Sequence, residues 1–151
     1  MTGPEVAALL GLVPLEHEGG MWAQTWSDPN STGIYFLMQP GDFSALHRLD
    51  GPELWHHYAG AAAQMVLLHP DGITTRPLLG IDLAAGERPC IPVPAGVWMG
   101  AETVGDWTLV GTTMAPPYDQ AGFELGRARA LIAAFPEARA DIERLTRVES
   151  E

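Results

Sequence analysis

Between positions 44 and 58 the chain gathers its densest set of side chains able to move a proton: Ser44-Ala45-Leu46-His47-Arg48-Leu49, then Glu53-Leu54-Trp55-His56-His57-Tyr58. If 53–58 is a strand, alternation puts Glu53, Trp55 and His57 on one face and Leu54, His56 and Tyr58 on the other. A carboxylate beside imidazoles in a walled pocket can serve as a general acid/base pair, or its lone pairs can hold a metal ion. The same groups also admit a plainer role, since buried polar side chains are usually just paired in structural hydrogen bonds. Tyr35 offers a further proton donor. Trp55, Trp98 and Trp107 offer a wall for a sugar or a base, although aromatic residues in strands most often pack in a core.

The elements that must position these groups are legible from texture. From about 20 to 118, apolar runs of four to eight residues alternate with Gly, Pro and Asp, which predicts strands at 33–38, 54–59, 64–69, 90–93 and 107–114. Pro70-Asp71-Gly72 and Gly105-Asp106 fall where antiparallel hairpins need preset or positive φ. Thr2-Gly3-Pro4-Glu5 has the spacing of a capping box and predicts a short opening helix that stops at Gly11. At the other end Phe123, Ala130, Leu131 and Ala134 recur at helical spacing, and Pro136 starts a second helix carrying Ile142 and Leu145. The expectation is an all-β sandwich or barrel over about 20–118, with helical ends, forming one domain over 1–151.

Composition narrows the chemistry. The 151 residues are 46% apolar and 18% charged, with 17 Gly and 13 Pro, a share that disfavours a helical bundle. All eight basic residues are arginine, so lysine Schiff bases and a GKS-type phosphate loop are excluded. Fourteen acids face three arginines over 1–126, while five acids balance five arginines over 127–151. A body this acidic repels nucleic acid and anionic membrane surfaces, so neither is expected as a partner. Cys90 is the one cysteine, so no internal disulfide forms, and a reducing, cytoplasmic setting is expected. No basic segment precedes Arg48 and no signal peptide is expected.

The spacing Gly41, His47, Glu53, Gly60, read as G-x5-H-x-L-x3-E-x6-G, resembles the first motif of the cupin superfamily, where position 49 normally carries a second His. Pro94-Ala95-Gly96-Val97-Trp98-Met99 is similar to the second motif, P-x-G-x-x-H, with Met99 in the His slot. A narrower likeness is carried by FSALHRL at 43–49, E-x-W-H-x-Y-x-G at 53–60, LG-x-DL-x-x-GE-x-P at 79–89, VPAGVW at 93–98 and LVG-x-T-x-AP at 109–116. These blocks resemble the cupin_5 family. The resemblance implies a double-stranded β-helix, a jelly-roll barrel of two antiparallel sheets, commonly paired as a homodimer. It also implies kinship with sugar-nucleotide epimerases and sugar isomerases. Where that family reads H-P-E-G-G, this chain has Glu16-His17-Glu18-Gly19-Gly20, so the family's His slot holds Glu16. His57 replaces a more usual aromatic.

The motif spacing places His47 and Glu53 on adjacent strands facing one interior, and these two are the expected catalytic pair. Tyr35, Ser44, Trp55, His57 and Met99 are the expected substrate-binding residues. The expected activity is epimerisation, isomerisation or elimination of a carbohydrate-like or nucleotide-like substrate by His/Glu acid–base chemistry. The alternative is a non-catalytic small-molecule binding or sensing module using the same pocket. No organic cofactor is required. If a divalent metal is present, His47 and Glu53 are its ligands, and binding is weak or non-standard because Leu49 and Met99 replace imidazoles.

Overall fold

The computed structural model describes residues 1–147; the final acid-rich residues of the C-terminal charge alternation, 148–151, lie outside the described residues. After helix α1 (Gly3–Leu10) come strands β1 (Val13–Pro14), β2 (Met21–Ser27), β3 (Thr32–Met38), β4 (Ser44–Arg48), β5 (Glu53–Gly60) and β6 (Ala63–Leu68). Next are β7 (Thr74–Thr75), β8 (Leu78–Leu79), β9 (Cys90–Val93), β10 (Trp98–Thr103), β11 (Thr108–Met114) and β12 (Glu124–Leu125), then helices α2 (Ala128–Ala134) and α3 (Arg139–Arg144). One sheet has the order β1-β2-β3-β11-β5-β9, and the other β12-β4-β10-β6-β7, with β8 also pairing β6. All the strand pairings are antiparallel.

The two sheets close on one apolar core. Phe36 and Met38 from β3, Trp55 from β5 and Val110 from β11 meet Met65 and Leu67 from β6 and Met99 and Ala101 from β10. Alternation along each strand sends the other side chains outward, and helices cover part of both outer faces. Val6, Ala7 and Leu12 bring α1 and its exit against Leu37 and Leu109 of the first sheet. Leu131, Phe135, Ile142 and Leu145 cover Leu46, Val66 and Leu68 of the second.

The capping box is formed as expected: Thr2 accepts from the Glu5 backbone, the Glu5 carboxylate accepts from the Thr2 N–H, and Gly11 closes the helix at φ 67°. Pro136 opens a short 3-10 turn, Pro136–Ala138, that runs into α3. Seven of the described strands fall outside the runs picked from sequence: the longer β2, β4 and β10 and the two-residue β1, β7, β8 and β12. The pair His47 and Glu53 requires one correction. They sit on consecutive strands, but β4 belongs to the second sheet and β5 to the first, so they face each other across the interior rather than along one sheet.

Candidate functional site

The site begins in the tight connection between β1 and β2. Leu15 N–H donates to the Gly20 carbonyl at 2.9 Å and Gly19 N–H to the Leu15 carbonyl at 3.0 Å, folding 15–20 back on itself. His17 has φ 69°, Gly19 96° and Gly20 73°, a left-handed stretch in which only glycine is free of a Cβ penalty. At Gly19 that freedom is also spatial, because the Arg147 guanidinium and the Phe43 carbonyl occupy the place a Cβ would take. The fold of this loop carries Glu18 inward. Its carbonyl accepts from Ala45 N–H at 2.8 Å and from Arg147 Nη2 at 3.0 Å. Its carboxylate accepts from Ser44 Oγ at 2.9 Å through Oε2 and lies 3.6 Å from His47 Nε2 through Oε1.

His47 is 3% exposed. Its Nδ1 stands 2.7 Å from the Ala45 carbonyl, which can only accept, so Nδ1 carries the hydrogen and Nε2 is the atom left to take or give a proton. The Phe123 ring stacks on the imidazole at 5.4 Å between centroids. Across the interior, Glu53 is 8% exposed and its Oε1 accepts from Trp55 Nε1 at 3.0 Å. Burial pushes the Glu53 carboxyl up to about 7; the His47 charge opposes the rise and the Glu18 charge adds to it. Burial likewise raises the Tyr118 phenol, with the negative charges of Glu18, Glu53 and Asp119 in the same direction. The Tyr118 hydroxyl donates to Gln120 Oε1 at 2.9 Å.

These groups enclose a cavity of about 240 Å³. Glu16, His17 and Glu18 form its side toward the β1–β2 connection, Trp22, Gln24, Thr32 and Ile34 line it from β2 and β3, and Tyr118, Gln120 and Phe123 close it from the segment after β11. His47, Leu49, Glu53, Thr112 and Met114 complete it. Of the residues expected from sequence, the structure therefore brings His47 and Glu53 to the wall. Ser44 and Trp55 stand one layer behind, as hydrogen-bond donors to Glu18 and Glu53. Met99 is buried opposite His47 in the β4–β10 register and does not line the cavity.

Tyr35 and His57 are not brought to the cavity. Tyr35 packs with the α1 cluster and meets the Tyr58 ring edge-on at 6.0 Å, because its place on β3 alternates with Ile34 and Phe36, which point inward. His57 lies past Glu53 and Trp55 on β5, where a bulge shifts the register against β11, and its Nε2 donates to the Ala61 carbonyl at 3.0 Å. Glu18, Trp22, Thr112, Tyr118 and Phe123 went unselected in sequence. Only Glu18 had a signal there, its place in the Glu-Gly-Gly stretch kept from the family pattern; the others reach the cavity through tertiary packing.

The fold family commonly holds a metal at this position, and the residues here do not fit one. Leu49 and Met99 stand where two imidazoles would be, and Nδ1 of His47 is committed to Ala45. Among the described residues no three His, Cys, Asp or Glu side chains are grouped so as to hold an ion.

Two antiparallel sheets closed around a cavity lined by His47 and Glu53 define a cupin-type barrel. The sequence pattern of the family described as "Cupin superfamily (DUF985)", Cupin_5, matches residues 4–126, and the chain belongs to that family. A structural-genomics protein from Shewanella oneidensis is similar at 34% identity and TM-score 0.92, with 99% of each chain covered. A hypothetical protein from Leishmania major is similar at 25% identity and TM-score 0.90, covering 98% of this chain and 100% of that one. A cupin 2 conserved barrel domain protein from Rhodopseudomonas palustris shares the fold at 16% identity and TM-score 0.62, covering 91% and 90%. No curated protein is detectably similar in sequence. No helix among the described residues is long and apolar enough to cross a membrane.

Proposed function

We propose that the cavity binds a small carbohydrate-like or nucleotide-like molecule and moves a proton on it, in an epimerisation, isomerisation or elimination. One observation carries this reading: His47, almost wholly buried, spends Nδ1 on the Ala45 carbonyl and turns an unbonded Nε2 toward the cavity, 3.6 Å from Glu18 and facing a carboxyl held near neutrality. All three reactions begin alike. His47 Nε2 takes the proton from a carbon next to a carbonyl as the C–H electron pair moves toward the carbonyl oxygen, which a protonated Glu53 can stabilise by donating to it. Return of the proton to the other face gives an epimer, return to the neighbouring carbon an isomer, and departure of a β-substituent with the electron pair an elimination. Glu18 acts as the counter-charge to the imidazolium formed.

In this reading the protein works in the cytoplasm as a homodimer. The free thiol of Cys90 and the outward-facing Leu54 and Tyr58 of β5, 40% and 51% exposed, support that setting. The test is mass spectrometry of small molecules that co-purify with the native protein, followed by turnover of the molecule found by wild type and His47→Gln. Loss of a general base should lower turnover by about 10²–10⁴-fold with the ligand still bound. Binding without turnover in the wild-type protein would instead favour a sensing module.

A further inference from the structure

The charge of the cavity wall is one-sided. Glu16, His17 and Glu18 face it from the β1–β2 connection, His47 from β4, Glu53 from β5 and Tyr118 from the segment after β11; among the described residues no arginine lines it. Two arginines close to its walls, Arg48 beside His47 in the chain and Arg147 at the Glu18 carbonyl, are engaged elsewhere. Arg48 pairs with Glu124 at 2.8 Å and lies over the Trp98 ring, and Arg147 spends Nη2 on Asp42 and on the carbonyls of Glu18 and Phe43. Helix α1 packs on the outer face of its sheet. An anionic ligand would thus meet two or three carboxylates and no permanent cation.

The wall is nonetheless built to receive something polar. Among the described residues His47, 97% buried, presents Nε2 without a hydrogen-bond partner, and Glu53, 92% buried, accepts from the Trp55 indole and from the Thr112 hydroxyl. Around these polar atoms stand Trp22, Tyr118 and Phe123, whose ring faces attract cations, together with Leu15, Ile34 and Leu49. Resting on the reading of this cavity as the small-molecule site, we propose that its ligand is a compact cation, an amine-bearing molecule whose ammonium group sits between Glu18 and Glu53 and whose body packs against the aromatic and apolar wall. The same charges disfavour a phosphate or carboxylate between Glu18 and Glu53, which narrows the nucleotide-like candidates to those that keep their phosphates outside this cavity. Long-range attraction works in the same direction, since the chain carries a formal net charge of −11.

The test uses three probes of one shape and different charge: benzylamine, benzyl alcohol and benzoate. Each is titrated into the intact protein at pH 7.5 and followed by NMR shifts of the Trp22 indole and by thermal stability. Benzylamine should bind at least about tenfold more tightly than benzoate, a difference of one good charge contact. Glu18→Gln and Glu53→Gln should each erase most of that preference while leaving benzyl alcohol unchanged. Benzoate binding as well as benzylamine, or a preference untouched in both folded variants, would overturn the cationic ligand while leaving the cavity as a small-molecule site. Failure of all three probes to move the Trp22 signal would overturn both readings together.

Discussion

Glu53→Gln isolates the one buried acid whose proton affinity is far from its ordinary value. In the folded protein the carboxyl is pushed up to about 7 from 4.5, by burial first and the Glu18 charge second. Below pH 4.5 the group is protonated folded or unfolded and has no effect on stability. As pH rises, the unfolded chain releases its proton first, so the native state loses stability until pH passes 7 and both forms are ionised. A gap of this size corresponds to about 3 kcal/mol lost between pH 4.5 and 8. Gln keeps an oxygen for the Trp55 Nε1 bond and has no proton to lose. Urea unfolding of both proteins across pH 5–8, followed by tryptophan fluorescence, should show stabilities that coincide at the acid end and diverge with pH, the variant ending about 3 kcal/mol more stable. Asp42 and Asp141 do not interfere. Burial opposes it, but hydrogen bonds from Arg147 and from Arg144 and Arg76 hold these carboxyls below their usual value, so their contribution is lost only at lower pH. Parallel curves over pH 5–8 would refute the claim that Glu53 sits in a desolvated wall, and its role as a proton donor near neutrality would go with it.

Arg147→Ala removes three hydrogen bonds from one guanidinium nitrogen and frees the loop that carries Glu18; with its side chain 34% exposed, the cost should be about 1–2 kcal/mol by urea titration. His47→Gln should shift the Glu53 stability loss to higher pH, because the His47 charge now holds that carboxyl down; the same pH series on the variant measures it. Divalent metal should bind weakly: after dialysis against chelator, elemental analysis is expected to find far less than one zinc, iron or manganese per chain. Sedimentation equilibrium should give twice the 16.2 kDa chain mass at micromolar protein, and Tyr58→Glu should move it toward monomer.

What the sequence made legible follows from which signals are local. The capping box at Thr2 and Glu5, the glycine stop at Gly11 and the apolar runs of β3, β5, β6, β9 and β11 depend on neighbours in the chain, and all are formed. β2, β4 and β10 were harder. Ser44-Ala45-Leu46-His47-Arg48 reads as a reactive cluster before it reads as a strand, and Trp98-Met99-Gly100 is broken by a glycine that lets β10 approach Leu46 closely. In the site, His47 and Glu53 carry motif spacing and were found. Tyr35 and His57 were misplaced because a strand residue's direction depends on which face closes the core, and on β5 also on the bulge opposite Leu109 and Val110. Tyr118 and Phe123 come from an irregular segment whose path no periodicity describes.

The replacement of two imidazoles by Leu49 and Met99 bears on more than metal binding. Leu49 lines the cavity beside Glu53, and Met99 is buried in register with His47, so both positions bring hydrocarbon where a ligand set would bring polar nitrogen. Hydrocarbon around a carboxyl disfavours its charged form, the largest cause of the Glu53 rise to about 7. Leu49 belongs to the apolar wall of the cavity that Glu53 faces, whereas Met99 does not line it. In the proposed reaction, a carboxyl titrating near neutrality gives a proton to a developing oxyanion and takes it back, while the imidazole, with Nδ1 fixed on Ala45, works on carbon. A hydrocarbon side chain at position 49, in the proposed reading, favours the protonated form of Glu53, where a charged imidazole would favour the carboxylate.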